Sequence, residues 1–341
     1  MEQTNDITLL QPKKSNKFLK ILSEFKGWLY VLPVIILMAV FTFYPLIQSC
    51  IYAFEQGYER LAEIGGEQAY DGIGWANFVK VLGYGKFKYC VANTLLFAFI
   101  SVPISTLLAL FISVFLKSIK ALRNVYQTIF FLPYLTNSLA VGAVFATMFE
   151  TIGTKSSVFT YGLINNLFGT TTDWLNISIM EMHKGEGAWI EWWDAFFDPQ
   201  IWPARFVVIL YEIWAGLPFK ILILFGALEN VSKQYYDAAK VDGASKHTTL
   251  WKVTVPLISP MLSYLIITGF IGGLKSYTAV VGIFGKENVL GGYMNTIVGY
   301  IYDCIQRDRI GLASAGALIL FVIILIFTLI NLRVSKKRVH Y

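Results

Sequence analysis

Apolar residues in this chain come in long runs separated by short polar punctuation. Three runs hold no Asp, Glu, Lys or Arg: Gly27 to Phe54, Tyr89 to Leu116 and Asn124 to Phe149. A fourth, Phe206 to Leu228, holds Glu212 and Lys220. A fifth starts at Val253 and stays uncharged until Lys275, and the last, Ile310 to Leu332, is almost wholly aliphatic. Crossing ~30 Å of hydrocarbon takes about 20 apolar residues in a helix. Backbone groups in lipid must also find their partners within their own segment. The pattern predicts an all-α integral membrane protein, a six-helix polytopic bundle with spans at 28–54, 89–116, 124–149, 206–230, 253–275 and 310–332. These make one membrane domain, 28–333, between basic tails 1–27 and 334–341. Pro133, Pro218 and Pro260 are expected to interrupt spans three, four and five, because proline removes a helical hydrogen bond. The uncharged but polar stretch Ser156 to Thr172 reads as an external loop or short interfacial helix.

Composition supports lipid as solvent. Of 341 residues, 56% are hydrophobic and 15% charged, against about 25% charged in an ordinary soluble domain. The net charge of +6 does not indicate nucleic acid, because Lys and Arg sit at the ends of the apolar runs. Lys13, Lys14, Lys17, Lys20 and Lys26 precede span one, and Lys117, Lys120 and Arg123 fill the second connection. Lys233, Lys240, Lys246 and Lys252 lie in the fourth, and Arg333, Lys336, Lys337 and Arg338 follow span six. The first and third connections are longer and acidic, with Glu55, Glu59, Glu63, Glu67 and Asp71 in one and Glu150, Asp173, Glu181, Glu186, Glu191, Asp194 and Asp198 in the other. Retention of Lys and Arg inside puts both termini in the cytoplasm. The first run is too long for a signal peptide's apolar core and is expected to remain as a span. Cys50, Cys90 and Cys304 have no metal or redox spacing and read as unpaired thiols. His183, His247 and His340 do not cluster in the sequence.

The fourth connection, YYDAAKVDGASKHTTLWKVTVPLISP from Tyr235 to Pro260, reads as helix, tight turn, helix. Val231 to Val241 is rich in helix formers. Gly243 can take positive φ, and Asp242 or Ser245 can cap the next helix. Pro256 is expected to open span five, with Val255 pushed toward an extended conformation. Small residues at Ala238, Ala239, Gly243 and Ala244 leave room for another protein to approach closely.

These residues resemble the signature loop of the binding-protein-dependent ABC importer permeases: Asp237, Ala238, Ala239, then Asp242, Gly243, Ala244, then Val255-Pro256. Asp237 replaces the family's Glu and Val255 its Leu. The run from Trp214 through GLPFKILILFGALENVSKQYYDAA resembles the family's fourth span leading into the loop, and the closing GLASAGALILFVIILIFTLINLRVSKKR and the first span, with Pro33 and FTFYPLIQS, are similar to the maltose-type sugar branch. The resemblance implies a cytoplasmic coupling helix between spans four and five, presenting Asp237, Ala238, Ala239, Asp242, Gly243, Ala244, Trp251 and Pro256 to a separate ATPase. It further implies a bacterial cytoplasmic membrane location, a second permease subunit that is a homologous heterodimer partner, two ATPase subunits and an extracytoplasmic substrate-binding protein. The chain has no GxxxxGK[S/T] phosphate loop, so no cofactor is expected in it, and ATP and Mg²⁺ belong to the partner ATPase.

Glu212 and Lys220 are costly within a span and are expected to face a cavity or a partner. They lie eight residues apart, about 12 Å along a helix, too far for a direct pair. Asn137, Tyr211, Glu212, Ser263, Tyr264 and Thr268 are candidates for the substrate path, where carboxylates and hydroxyls bond sugar hydroxyls. Beside that stands a structural reading, interhelical hydrogen bonding. Trp189, Trp192, Trp193 and Trp202 read as an interfacial belt. A sharper alternative has Glu181 to Asp198 contacting the binding protein or guiding a glycan. Competing classes are a gradient-driven transporter, an ABC permease for a non-sugar solute, and a membrane-embedded enzyme, for which no catalytic constellation is visible.

Overall fold

The computed structural model describes residues 28, 30–58, 70–119, 123–154, 157–175, 192–285 and 292–338. The basic tail 1–27, Lys120, the acidic residues Glu59, Glu63, Glu67, Glu181, Glu186 and Glu191, Trp189, His183 and His340 lie outside them. The chain divides into two compact units, Met1–Ile51 and Tyr52–Tyr341. Helix α1 (Tyr30–Phe54) starts in the first and widens into a π-turn at Ala39–Phe43.

In the second unit, β1 (Glu55–Gln56) pairs antiparallel with β2 (Gly72–Ile73) ahead of the short helix α2 (Ala76–Gly83). Asn77 at the start of α2 donates its side-chain amide to the carbonyls of Ala53 and Glu55, at 3.2 and 2.8 Å, closing the end of α1. Helix α3 (Gly85–Ser118) then runs 34 residues, about 51 Å at 1.5 Å per residue. It packs most extensively on α8 (Trp202–Glu229) and also meets α11 (Ser259–Gly273) and α13 (Ile297–Gln306).

The α3–α8 crossing follows from small residues. Ser101, Ser105, Ala109 and Ser113 recur every fourth position and are buried. A Cβ on Gly216 would stand 3.6 Å from Ser105 Oγ. In lipid a hydroxyl needs an internal acceptor, and each serine bonds the carbonyl four residues back. Ser101 donates to Phe97, Ser105 to Ser101 and Ser113 to Ala109. Ser113 also donates to the Ile221 carbonyl of α8 at 3.1 Å. Small residues that let backbones approach are common where membrane helices associate, and here Leu110 and Leu116 of α3 pack beside them with Ile221, Leu224 and Phe225 of α8.

Four helices are long and apolar enough to cross a membrane: α1, α3, α8 and α14 (Ile310–Arg338). Two further spans exist only as bent pairs, giving up to six. The third combines Val125–Leu135 with α5 (Ser138–Phe149) at 94°; α4 (Arg123–Phe131) leads into a 3₁₀ turn, Leu132–Leu135, containing Pro133. Asn137 repairs that break, its side chain accepting from the amides of Leu139 and Ala140. The fifth combines α10 (Lys246–Leu257) with α11 at 71°, hinged at Ile258.

The three prolines therefore act differently. Pro133 breaks its span as expected. Pro218 lies inside an uninterrupted α8. Pro260 opens α11, in the first turn where no N–H is needed. Val255 is helical, with φ −59° and ψ −45°, and not extended. The turn before it, Leu250–Thr254, is a π-helix, and its wider spacing moves back the carbonyl that the Pro256 ring would strike.

The stretch expected as loop or short helix, Ser156 to Thr172, holds a strand, β4 (Ser157–Tyr161), which pairs back on β3 (Thr151–Thr154) just before it, and helix α6 (Leu163–Phe168). Helix α7 (Trp192–Phe197) follows, and α12 (Thr278–Phe284) comes after α11. Helix α12 packs on α5 where Gly142 meets Gly282, so closely that a Cβ on Gly142 would lie 2.6 Å from the Gly282 Cα.

Candidate functional site

In the loop between α8 and α11, side-chain caps start both short helices. Ser232 accepts from the Gln234 amide at 3.4 Å and starts α9 (Lys233–Val241). The helix ends with Gly243 at φ +71°; the Gly243 amide bonds the Lys240 carbonyl and the Ala244 amide bonds that of Ala239, at 3.1 and 2.9 Å. That pair of reversed bonds is a Schellman closure, which requires the left-handed residue that glycine supplies. Ser245, not Asp242, caps α10, accepting from Thr248 N at 3.1 Å. Asp242 instead terminates α9.

The surface so formed leaves Asp237, Ala238, Asp242 and Gly243 exposed, Ala244 and Pro256 half-buried and Ala239 buried against the chain. Val241 is 88% exposed, an apolar side chain at the tip of the loop, and Trp251 is 41% exposed. Asp237 pairs with Lys240 at 3.5 Å, both exposed, a contact worth at most about 1 kcal/mol. Lys117, at the end of α3, ties the loop to the membrane helices. Its ammonium donates to the Leu228 carbonyl at 2.6 Å and lies 4.6 Å above the Tyr236 ring.

The six candidate path residues fall into two groups. Tyr211 is buried and donates to the Ser138 carbonyl at 2.9 Å, next to Asn137 at the span-three break. Glu212 accepts a hydrogen bond from Ser276. Thus Asn137, Tyr211 and Glu212 are gathered around α8, α5 and the segment after α11. Ser263, Tyr264 and Thr268 lie on α11, where Thr268 donates to the Tyr264 carbonyl of its own helix. Tyr264 and Thr268 are exposed and Ser263 is half-buried. Among the described residues, none of these three forms a hydrogen bond with the Glu212 group. Lys220 has its own partners, donating to Ser105 Oγ and to the Val102 carbonyl across the α3 crossing.

Sequence reading missed a second polar assembly because α8 begins four residues earlier than its apolar run. Arg205, fully buried, donates to Asn93 Oδ1 at 2.8 Å and to the carbonyls of Phe196 and Ala195. Asn93 in turn donates to the carbonyls of Tyr293 and Asn295, and Ile297 N bonds Thr94 Oγ1. The segment 293–297 is thereby pinned to α3. From it Thr296 Oγ1 donates to the Ser276 carbonyl at 2.7 Å, continuing the chain to Glu212. Asn295 donates to Asp303 on α13 at 2.8 Å. Burial holds the Asp303 carboxyl above its usual range, although Arg307 and the Asn295 bond oppose this. A cavity of about 650 Å³ opens beside Asp303, between Lys80, Tyr84, Lys86, Asn295, Tyr300 and Arg307. Cys90 and Cys304, both buried, line it as free thiols.

Over residues 72–340 the chain matches the family of binding-protein-dependent transport system inner membrane components. It is 26% identical over 301 residues to a probable ABC transporter permease protein of Mycoplasma genitalium, covering 87% of this chain and 82% of the relative. It is 25% identical over 313 residues to the arabinooligosaccharides transport system permease protein of Bacillus subtilis, covering 90% and 88%. Its fold matches, with a TM-score of 0.69 at 20% identity, a chain in the crystal structure of a bacterial alginate ABC transporter in complex with alginate pentasaccharide-bound periplasmic protein; 94% of this chain and 97% of that chain are covered.

Proposed function

The chain belongs to the family of inner membrane components of binding-protein-dependent transport systems, and from that premise we propose that it forms half of the translocation path of an ATP-driven importer of a sugar or oligosaccharide. A sugar cargo is supported by the arabinooligosaccharide permease among its relatives. In this reading the second half of the path is a homologous permease, two ATPase subunits bind ATP and Mg²⁺ in the cytoplasm, and a soluble binding protein delivers cargo from outside. Both termini and the α9–α10 loop face the cytoplasm, as the Lys and Arg distribution requires.

The observation that carries the coupling role is the exposed helix–turn–helix from Lys233 to Leu257, closed at Gly243 and anchored through Lys117. Asp237, Ala238, Asp242, Gly243 and the exposed Val241 present a small-residue surface with an apolar knob, suited to a groove on the ATPase. Displacement of that surface is passed on by two routes. One runs through α10 across the Ile258 hinge into α11, which carries Ser263, Tyr264 and Thr268. The other runs through Tyr236 and Lys117 to the ends of α3 and α8. Movement of α8 and α11 then changes what Glu212, Tyr211 and the α11 hydroxyls present to the cargo. The break at Asn137 lets α5 move separately from the first half of its span.

The test is Gly243→Asp in the complex purified with its ATPase and reconstituted in vesicles. A charged side chain on that turn is expected to reduce transport at least tenfold while the chain still inserts and folds. Normal ATP-dependent uptake by the variant contradicts the docking role of the loop.

A further inference from the structure

The cavity beside α13 gathers cations that the sequence scatters. Lys80 lies in the last turn of α2 and Lys86 in the first turn of α3, while Arg307 and Arg309 flank the turn between α13 and α14. All four line one concavity of about 650 Å³, and an adjoining recess of about 410 Å³ shares Lys80, Arg307 and Arg309. Asp303 is the one carboxylate lining the larger space, where it accepts from Asn295 and interacts with Arg307, and Asp308 lines the adjoining recess, so four cations face two acids. None of the four cations forms an ion pair with a described residue. Like charges held around a common concavity repel one another and raise the local concentration of anions.

Backbone geometry brings the arginines together. Asp308 sits at φ +56°, a left-handed conformation that costs a non-glycine residue energy. Its amide bonds the Ile305 carbonyl at 3.1 Å and that of Arg309 bonds Cys304 at 2.8 Å, so the chain reverses sharply and both arginines reach the same space. Tyr84 and Tyr300 add an aromatic wall, their ring centroids 6.2 Å apart and tilted by 38°. Gln306 supplies a further amide.

We propose that this cavity binds the carboxylate-bearing sugars of an acidic oligosaccharide on the external side of the membrane. The proposal rests on the sugar-importer reading and names the cargo's charge. Guanidinium groups meet carboxylates with paired N–H donors, and tyrosine faces accept the apolar faces of sugar rings. The shape favours a small ligand over an acidic protein surface, since ligand sites are concavities of about 300–1,000 Å³ whereas protein partners meet over broad faces. The wall of the cavity is tied to the intramembrane polar group: Asn295 lines the cavity, and its neighbour Thr296 is joined through Ser276 to Glu212.

The experiment is calorimetric titration of the complex, purified through this chain, with trigalacturonate and with its methyl ester. The wild type is expected to bind the acid at least tenfold more tightly than the ester, and less tightly as salt is raised. Lys80→Gln with Arg307→Gln is expected to weaken acid binding at least tenfold; Lys86→Gln alone serves if the double variant does not assemble. No binding by the wild type, equal binding of acid and ester, or unchanged binding by the variants overturns the proposal. So does loss of binding-protein stimulation while trigalacturonate binding is unchanged, which makes the surface a protein dock. Uptake of a neutral sugar, measured in the same vesicles, separates these outcomes from failure of the importer reading: if it persists, only the charge of the cargo was wrong.

Discussion

At the scale of single residues, the backbone conformation of Gly243 can be separated from its surface role. An added Cβ there meets nothing within 4 Å, so Gly243→Ala is opposed only by its φ of +71°. The expected cost is about 1–2 kcal/mol, read as faster amide exchange across α9 with spans unaffected. Lys220 gives a second separation. Its ammonium is held by Ser105 and the Val102 carbonyl, but Ser105 has its own acceptor at Ser101. Lys220→Met keeps the packing and strands no donor, so its loss of stability is expected within about 1 kcal/mol. Lys220→Ala also opens a cavity and is expected to cost about 2–4 kcal/mol; thermal unfolding of the two variants checks the difference. Asp303 carries a pH signature. Its carboxyl is raised in the folded protein, so stability is fully present below the unfolded pKa and falls as pH rises toward the folded one. Asp303→Asn is expected to remove that fall, leaving the variant's Tm relative to wild type higher at neutral than at acid pH. A difference that does not change with pH contradicts the assignment.

At the scale of elements, the four unbroken apolar helices were legible in sequence because hydropathy needs only residue type summed over several helical turns. The bends were only half legible. Pro133 and Pro260 look alike in sequence and both sit at the break of a bent span, yet Pro133 lies in a 3₁₀ turn before its break and Pro260 in the first turn of the helix after it, because the outcome depends on which groups repair the backbone. Asn137 does so at the first, whereas a π-turn and the Ile258 hinge precede the second. The extent of α8 was underestimated because Arg205 looks like a boundary charge. Its partners are Asn93 and two carbonyls distant in sequence, so nothing local announces its burial. Contact between α5 and α12 at Gly142 and Gly282 was likewise invisible. Gly142→Ala forces a methyl to within 2.6 Å of the facing backbone. Overpacking of that kind is expected to cost about 1–3 kcal/mol and to separate α5 from α12, measured as reduced cross-linking of cysteines placed on the two helices.

At the scale of the whole molecule, the family was legible from a few residues in the fourth connection, since a docking loop must present side chains in fixed order on a short motif. The cargo was not, because the groups that would recognise it are dispersed from Lys80 to Arg309 and converge only on folding. The membrane-embedded enzyme and gradient-driven classes draw no support from the family match, whose members are named for dependence on a binding protein. The most direct measurement of the central claim is uptake by vesicles holding the purified complex, with the binding protein and labelled oligosaccharide outside and ATP–Mg²⁺ supplied inside. Uptake is expected only when ATP is enclosed, and at least tenfold lower with Gly243→Asp in this chain. Uptake driven by an imposed ion gradient without ATP contradicts it.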